Sequence, residues 1–248
     1  MRRATPAILT LLVLVMLALW QGAILLGGLA PYLLPSPLAV GRALWAGRAE
    51  LALAAAHTLA EVVLGLGLGA LIGAGLAVAM GFSARLTALL RPILTFSQTI
   101  PTFALAPILT LWLGFGMAPK VAMTVLIVFF PVATAFLDGL ARTPQAALDL
   151  AQVMGASRVR VMRHLRIPAA LPQLATGLRL AAVYAPIGAV VGEWVGGARG
   201  LGAMMLHANG RMKTDLVFAA LLVLSLMTVL LAWAVGQATA RLWRRYGA

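Results

Sequence analysis

This chain of 248 residues contains no cysteine, which excludes disulfides, thiolate metal sites and cysteine nucleophiles. Histidine is nearly as scarce. His57, His164 and His207 lie far apart, with no H-E-x-x-H and no i, i+4 pair, so a histidine-based metal site has no support. No Ser/His/Asp arrangement stands near a glycine elbow, and no GxxxxGK[ST] phosphate loop occurs. The expectation is a chain with no catalytic residues and no cofactor or metal of its own. Acids are outnumbered, 6 against 19 lysines and arginines, and charged residues make up only 10% of the sequence. A formal charge of +13 would suggest nucleic acid in a soluble protein. In this chain the positive-inside rule accounts for it, and no nucleic-acid partner is expected.

What the chain does have is apolar length. It is 62% hydrophobic with a mean hydropathy of +1.01, and its apolar runs approach the roughly 20 residues that cross a bilayer as a helix. The runs are continuous rather than alternating, which excludes a β-barrel. The expected fold class is therefore all-α: a polytopic membrane protein with six transmembrane helices.

Taken in order, Arg2 and Arg3 precede a first span at 7–26, read as a retained helix rather than a signal peptide. Residues 27–57 are less apolar and proline-containing, and predict an external segment with a short amphipathic helix after Leu34-Pro35-Ser36-Pro37. The second span, 58–80, carries Gly65, Gly69 and Gly73 on one face, where a neighbouring helix can approach closely. Glu61 near its outer end is read as a structural residue that reaches the interface. The third span, 92–113, contains Pro101 and Pro107 beside Gln98, Thr99 and Thr102, a polar group suited to a water-filled path. A short external loop through Lys120 leads to the fourth span, 121–137. The fifth, 174–195, holds Tyr184, Glu193 and Trp194. Glu193 reads either as an interfacial anchor beside Trp194 or as a residue of the translocation path or its external gate. An external segment follows, and the sixth span is 216–238. The layout divides into residues 1–57, a transport core at 58–240 that includes a cytosolic loop at 139–173, and a cytosolic tail at 241–248. Both ends then face the cytosol. Only Arg42, Arg48, Lys120, Arg199, Arg211 and Lys213 fall outside, leaving 13 of the 19 cations inside.

The longest polar interruption is 145–168, QAALDLAQVMGASRVRVMRHLRIP. Two short helices fit it. The first has Ala147, Leu150, Ala151 and Met154 on one face, Gly155 supplies a stop, and Ser157 is placed to cap the second. The second helix places Val159, Met162 and His164 among arginines, and reads as a cationic surface element with a narrow apolar stripe that ends at Pro168. Asp149-Leu150-Ala151, three residues, Gly155, nine residues, then Leu165-Arg166-Ile167-Pro168 resembles the E-A-A, x3, G, x9, I-x-L-P loop of ABC-importer permeases. Asp149 stands where that pattern has Glu, and Leu150 where it has the middle Ala.

The resemblance implies that Asp149, Leu150, Ala151, Gly155, Ser157, Leu165, Ile167 and Pro168 form a coupling loop that docks on a separate ATPase subunit, which alone uses ATP. It also implies a second permease chain, in the simplest case an identical copy. The remaining partner is a periplasmic or lipoprotein substrate-binding protein, and the setting is a bacterial inner membrane. The Leu34-Pro35-Ser36-Pro37 element is similar to one in the nitrate/sulfonate/taurine branch. The run Gly192-Glu193-Trp194-Val195-Gly196 with Gly200-Leu201-Gly202 looks most like permeases for hydroxymethylpyrimidine, the pyrimidine precursor of thiamine. Trp194 could stack on such a ring and Glu193 accept its amine. The alternatives are a sulfonate, taurine or nitrate cargo in the same class, or, in other classes, an ion-coupled secondary transporter or an intramembrane enzyme. No inverted repeat or ion-ligand set favours the secondary transporter, and no nucleophile–base or metal pair favours the enzyme.

Overall fold

The apolar runs fold into long helices separated by glycine, serine and proline, as their lengths require. The computed structural model describes residues 6–246 and contains, among them, helices and no strand. Arg2 and Arg3 lie outside the described residues. In chain order the helices are α1 (Pro6–Gly27), α2 (Pro37–Ala46), α3 (Arg48–Phe82), α4 (Ala84–Ser97), α5 (Thr102–Leu113) and α6 (Met117–Ala141). They continue with α7 (Gln145–Val153), α8 (Arg158–Val161), a π-turn (Met162–Arg166), α9 (Ile167–Gly196), α10 (Leu201–Gly210) and α11 (Thr214–Tyr246).

Five helical segments are long and apolar enough to cross a membrane: α1, α3, α6, α8 through α9, and α11. The pair α4–α5 supplies a sixth, bent by 97°. Five spans are thus found, or six if the bent pair is one span, with three corrections to the expected layout. The third is not one helix over 92–113. It breaks at 98–101, where Pro101 lacks an N–H and biases Ile100 away from helical backbone. The second begins at Arg48, so residues 48–57, expected in the external segment, are the first turns of α3. At 35 residues α3 is about 52 Å long, well beyond a hydrocarbon core of about 30 Å. The fifth does not start after Pro168: the helix runs on from Arg158 through Pro168 and Pro172. A proline ring presses on the carbonyl four residues back, and the wider π-turn immediately before it absorbs that conflict.

α6 is the centre of the bundle, held between α3 and α9 by glycine on both sides. A Cβ at Gly65 would run into Thr124, one at Gly69 would lie 2.8 Å from Val128 Cγ1, and one at Gly73 2.5 Å from the Phe129 carbonyl. On α9, Gly177, Gly188 and Gly192 approach the α6 backbone as closely at Pro131, Thr124 and Lys120. Lipid is as apolar as leucine, so such close backbone packing rather than hydrophobic burial holds spans together. Gly67 and Gly75, on the other side of α3, face nothing.

The core has three tiers. Met80, Phe136, Leu140 and Met162 pack at the arginine-rich end, Val62, Val128, Val132 and Ala185 in the middle, and Val40, Leu51, Leu201 and Ala219 at the opposite end. There α2 starts as expected from its sequence, with Ser36 accepting from the Ala39 N–H at 3.2 Å and Pro37 in the first turn. α1 is peripheral and attaches through Trp20, whose indole N–H donates to the Pro35 carbonyl at 3.1 Å.

Candidate functional site

The segment 145–168 forms a ledge at the arginine-rich end. α7 closes with a Schellman turn: the Gly155 N–H donates to Gln152 O at 3.0 Å and the Ala156 N–H to Ala151 O at 2.9 Å. Gly155 has φ +70°, the left-handed conformation this turn needs. Ser157 then caps α8, accepting from the Arg160 N–H at 3.3 Å. The expected stop and cap are therefore both present.

Of the expected apolar face of α7, Ala147 and Ala151 are half-buried, while its two large side chains stay uncovered among the described residues. Leu150 is 61% exposed and Met154 75%, and Val153 and Val159 beside them are also exposed. Asp149 is exposed and accepts from the Gln145 side-chain amide at 2.9 Å. The ledge is fixed from behind. Met162, read as part of a surface stripe, is instead buried among Met80 and Leu140, Ile167 packs against the same cluster, and Leu165 and Pro168 are half-buried. Arg166 donates to the Gly81 carbonyl at 2.8 Å, tying the ledge to the end of α3. A cavity of about 1100 Å³ opens beside it, lined by Thr87, Arg91, Thr95, Thr99, Asp138 and Arg166.

At the opposite end lies a buried polar cluster. Glu61 on α3 and Lys120 at the start of α6 form an ion pair of 2.7 Å, with both side chains almost fully enclosed. Lys120 also donates to the Arg199 carbonyl at 3.3 Å. Glu193 is fully buried. It accepts from Thr58 Oγ1 at 2.6 Å and, through Oε2, from the Gly202 and Ala203 N–H groups at 2.5 and 3.2 Å. Thr58 Oγ1 accepts in turn from the Leu201 N–H at 2.8 Å. Glu193 thus caps α10 from a neighbouring helix, where a carboxylate meets unpaired N–H groups and the positive end of the dipole. Gly200, at φ +113°, leaves room for that carboxylate; any Cβ there would collide with it.

Neither expectation for Glu193 describes this position, since it sits at no interface and lines no open space. Glu61 does not reach an interface either, and Lys120 is no loop residue. Sequence reasoning missed the Glu61–Lys120 pair. The available signal was two solitary opposite charges: Glu61 is the one formally charged residue between Glu50 and Arg85, and Lys120 the one between Arg91 and Asp138.

The six path candidates do not converge within one chain. Gln98 and Thr99 are exposed at the α4–α5 break with Thr102 half-buried next to them, and Tyr184 is exposed midway along α9. Trp194, half exposed, lines a separate cleft of about 770 Å³ with His57, Glu61, Lys120, Arg199 and His207. Arg179, counted above with the cytosolic cations, lies within α9, and its guanidinium donates to Thr239 Oγ1 at 3.1 Å and the Gly236 carbonyl at 3.3 Å on α11.

Residues 65–244 match the family of binding-protein-dependent transport system inner membrane components. The chain belongs to this family. It is 50% identical over 225 residues to a Haemophilus influenzae protein named "Probable ABC transporter permease protein", covering 91% of this chain and 92% of the relative. It is 38% identical to the formylaminopyrimidine transport permease of Halalkalibacterium halodurans, with 89% and 88% of the two chains covered. With the taurine transport system permease of Escherichia coli it shares 33% identity over 93% and 86%. A chain of the MetNI methionine ABC transporter in an inward facing conformation has the same fold, with a TM-score of 0.65 at 19% identity over 83% of this chain and 97% of that one. The protein is accordingly a multi-pass permease component of an ABC importer.

Proposed function

We propose that this permease carries a flat nitrogen heterocycle of the aminopyrimidine class across the bacterial inner membrane. The cargo is handed over outside by a periplasmic or lipoprotein binding protein, and the cycle is powered by ATPase subunits bound to the 145–168 ledge. The observation that carries the importer mechanism is the ledge itself. Leu150, Val153, Met154 and Val159 form an exposed apolar patch on a segment made rigid by a Schellman turn, a serine cap and the Arg166 anchor. It lies at the end with most of the cations, which orients that end to the cytosol. ATP binding closes the ATPase pair, moves the docked ledges and biases the permease toward an outward-open state; hydrolysis resets it. This chain supplies no ATP site.

A second copy of the chain completes the path. Leu180, Val183, Tyr184 and Ile187 stay exposed along α9 at helical spacing, and Gln98 and Thr99 stand at the bend that such a path would cross. For the cargo, the formylaminopyrimidine permease is the most similar relative named above with a stated substrate. Arg179, the cation within α9, is already engaged by α11 and so is not free to receive an anion. The taurine relative keeps a sulfonate as the second reading, favoured by Arg199, His57 and His207 at the rim of the Trp194 cleft.

Met154→Glu tests the docking reading. The variant is expected to insert normally and to lose the copurifying ATPase; retention of a full complement of ATPase rejects the ledge as the docking element. Uptake of labelled hydroxymethylpyrimidine against labelled taurine, by the reconstituted complex with its own binding protein, decides the cargo. Uptake of taurine alone rejects the heterocycle.

A further inference from the structure

α10 ends in the same kind of turn as α7, with one difference. The Met212 N–H donates to Asn209 O at 3.0 Å and the Lys213 N–H to Ala208 O at 2.9 Å. Met212 therefore occupies the left-handed position that Gly155 holds on the ledge. Its φ is +55°, and among the described residues it is the one residue other than glycine with left-handed backbone. Gly210 and Asn209 would adopt that backbone more easily, but they stand two and three positions earlier, inside the helix. Burial does not account for a methionine at this strained place, since its side chain is 68% exposed. Backbone strain held at an exposed position points to a contact outside the chain.

Cations surround the turn. Arg211 and Lys213 flank Met212, and both are exposed, as are Arg199 and His207. None of these arginines and lysines is in an ion pair among the described residues. Together with Glu50 and His57 on α3 they line a cleft of about 870 Å³. Asp215, the other acid close by in sequence, is engaged by the Leu216 N–H at 2.9 Å. The part of α3 that lines the cleft is its first turns, and α3 is longer than the hydrocarbon core is thick. The cleft thus belongs to the outermost part of the bundle. Cations on that side run against the positive-inside bias, so three gathered there call for a reason.

We infer that the α10–α11 turn is a docking surface for an acidic patch of the substrate-binding protein: Arg199, Arg211 and Lys213 face its carboxylates, and Met212 enters an apolar pocket on it. This rests on the importer reading above and adds the place and the chemistry of docking. Methionine and arginine are both enriched in protein interfaces, and lysine is kept to their rims. An exposed apolar side chain ringed by unpaired cations fits that pattern. The anchor supplies affinity on leaving water, and the ring steers an acidic partner into register and repels a basic one.

The test uses the complete complex in nanodiscs of neutral phosphatidylcholine. Its ATPase rate is titrated with its own binding protein, loaded with whichever of hydroxymethylpyrimidine and taurine that protein retains. Arg211→Glu combined with Lys213→Glu is expected to raise the half-maximal concentration about 10-fold at low salt, and to flatten its dependence on salt, with the rate at saturation kept. Met212→Gly separates docking from folding. Glycine relaxes the turn, so the thermal midpoint should hold or rise, while loss of the anchor raises the half-maximal concentration about 5–10-fold. An unchanged half-maximal concentration in the charge-reversed variant overturns the inference and leaves the importer reading standing. The wild-type value in Met212→Gly rejects the anchor. A defect of the charge-reversed variant that appears only in discs of anionic phosphatidylglycerol assigns the cations to lipid headgroups, and also overturns the inference. A wild-type complex that its binding protein fails to stimulate overturns the importer reading as well.

Discussion

Glu61, Lys120, Thr58 and Glu193 come from three helices and join them in a buried cluster. A buried ion pair adds little net stability compared with an apolar pair, but breaking it from one side leaves an uncompensated charge, at a cost of about 3–5 kcal/mol. Lys120→Met should therefore lower the thermal midpoint of the purified permease sharply, and adding Glu61→Gln should restore most of the loss. A double variant no better than the single would mean that Lys120 acts through its Arg199 contact rather than through Glu61. At this scale the sequence is informative about what is local. Gly155 and Ser157 are legible because a turn and a cap depend on neighbours within a few residues. The Lys120–Glu61 pair is not, because its partners are 59 residues apart and hydropathy places Lys120 at the edge of a span, where a cation ordinarily meets water.

At the scale of elements, the α7–Gly155–α8 ledge is rigid because each of its breaks is built. Only glycine, and less easily asparagine, adopts φ +70° without strain. No atom lies within 4 Å of where a Gly155 Cβ would be, so a side chain there is opposed by backbone conformation alone. Gly155→Val should lose most substrate-stimulated ATPase activity in the assembled complex while inserting normally, and Gly155→Asn should keep most of it. Equal activity in the two variants would make the turn a passive connector. The glycine face of α3 was readable because a four-residue period fixes one side of a helix whatever it packs against. On α9, Gly188 and Gly192 keep the same four-residue period and Gly177 lies eleven residues earlier, about three turns, on the same side, yet only the position of α6 shows what they pack against. The bend between α4 and α5 and the passage of α9 through Pro168 follow the same logic. A proline announces a conflict with helical hydrogen bonding, and the surrounding packing decides whether the chain breaks or widens by a turn.

For the whole molecule, the division into two ends with different work depends on orientation. The ledge, its exposed apolar patch and the 1100 Å³ cavity share one end; the Trp194 cleft and the buried cluster share the other. If ATPase subunits bind the first and a binding protein meets the second, Ser157 faces the cytosol and Ala198 the outside. Both residues are exposed, so a cysteine at either position is reachable from its own side of the membrane. The natural chain has no cysteine, so each substitution gives a single label site. In intact cells with a permeable outer envelope, Ala198→Cys should react with a membrane-impermeant maleimide, and Ser157→Cys should react only after the membrane is disrupted. Labelling in the reverse order would invert the molecule. The ledge would then lie where no ATPase could reach it, the Trp194 cleft would become a release site, and the coupling scheme would fail even though every helix stayed in place.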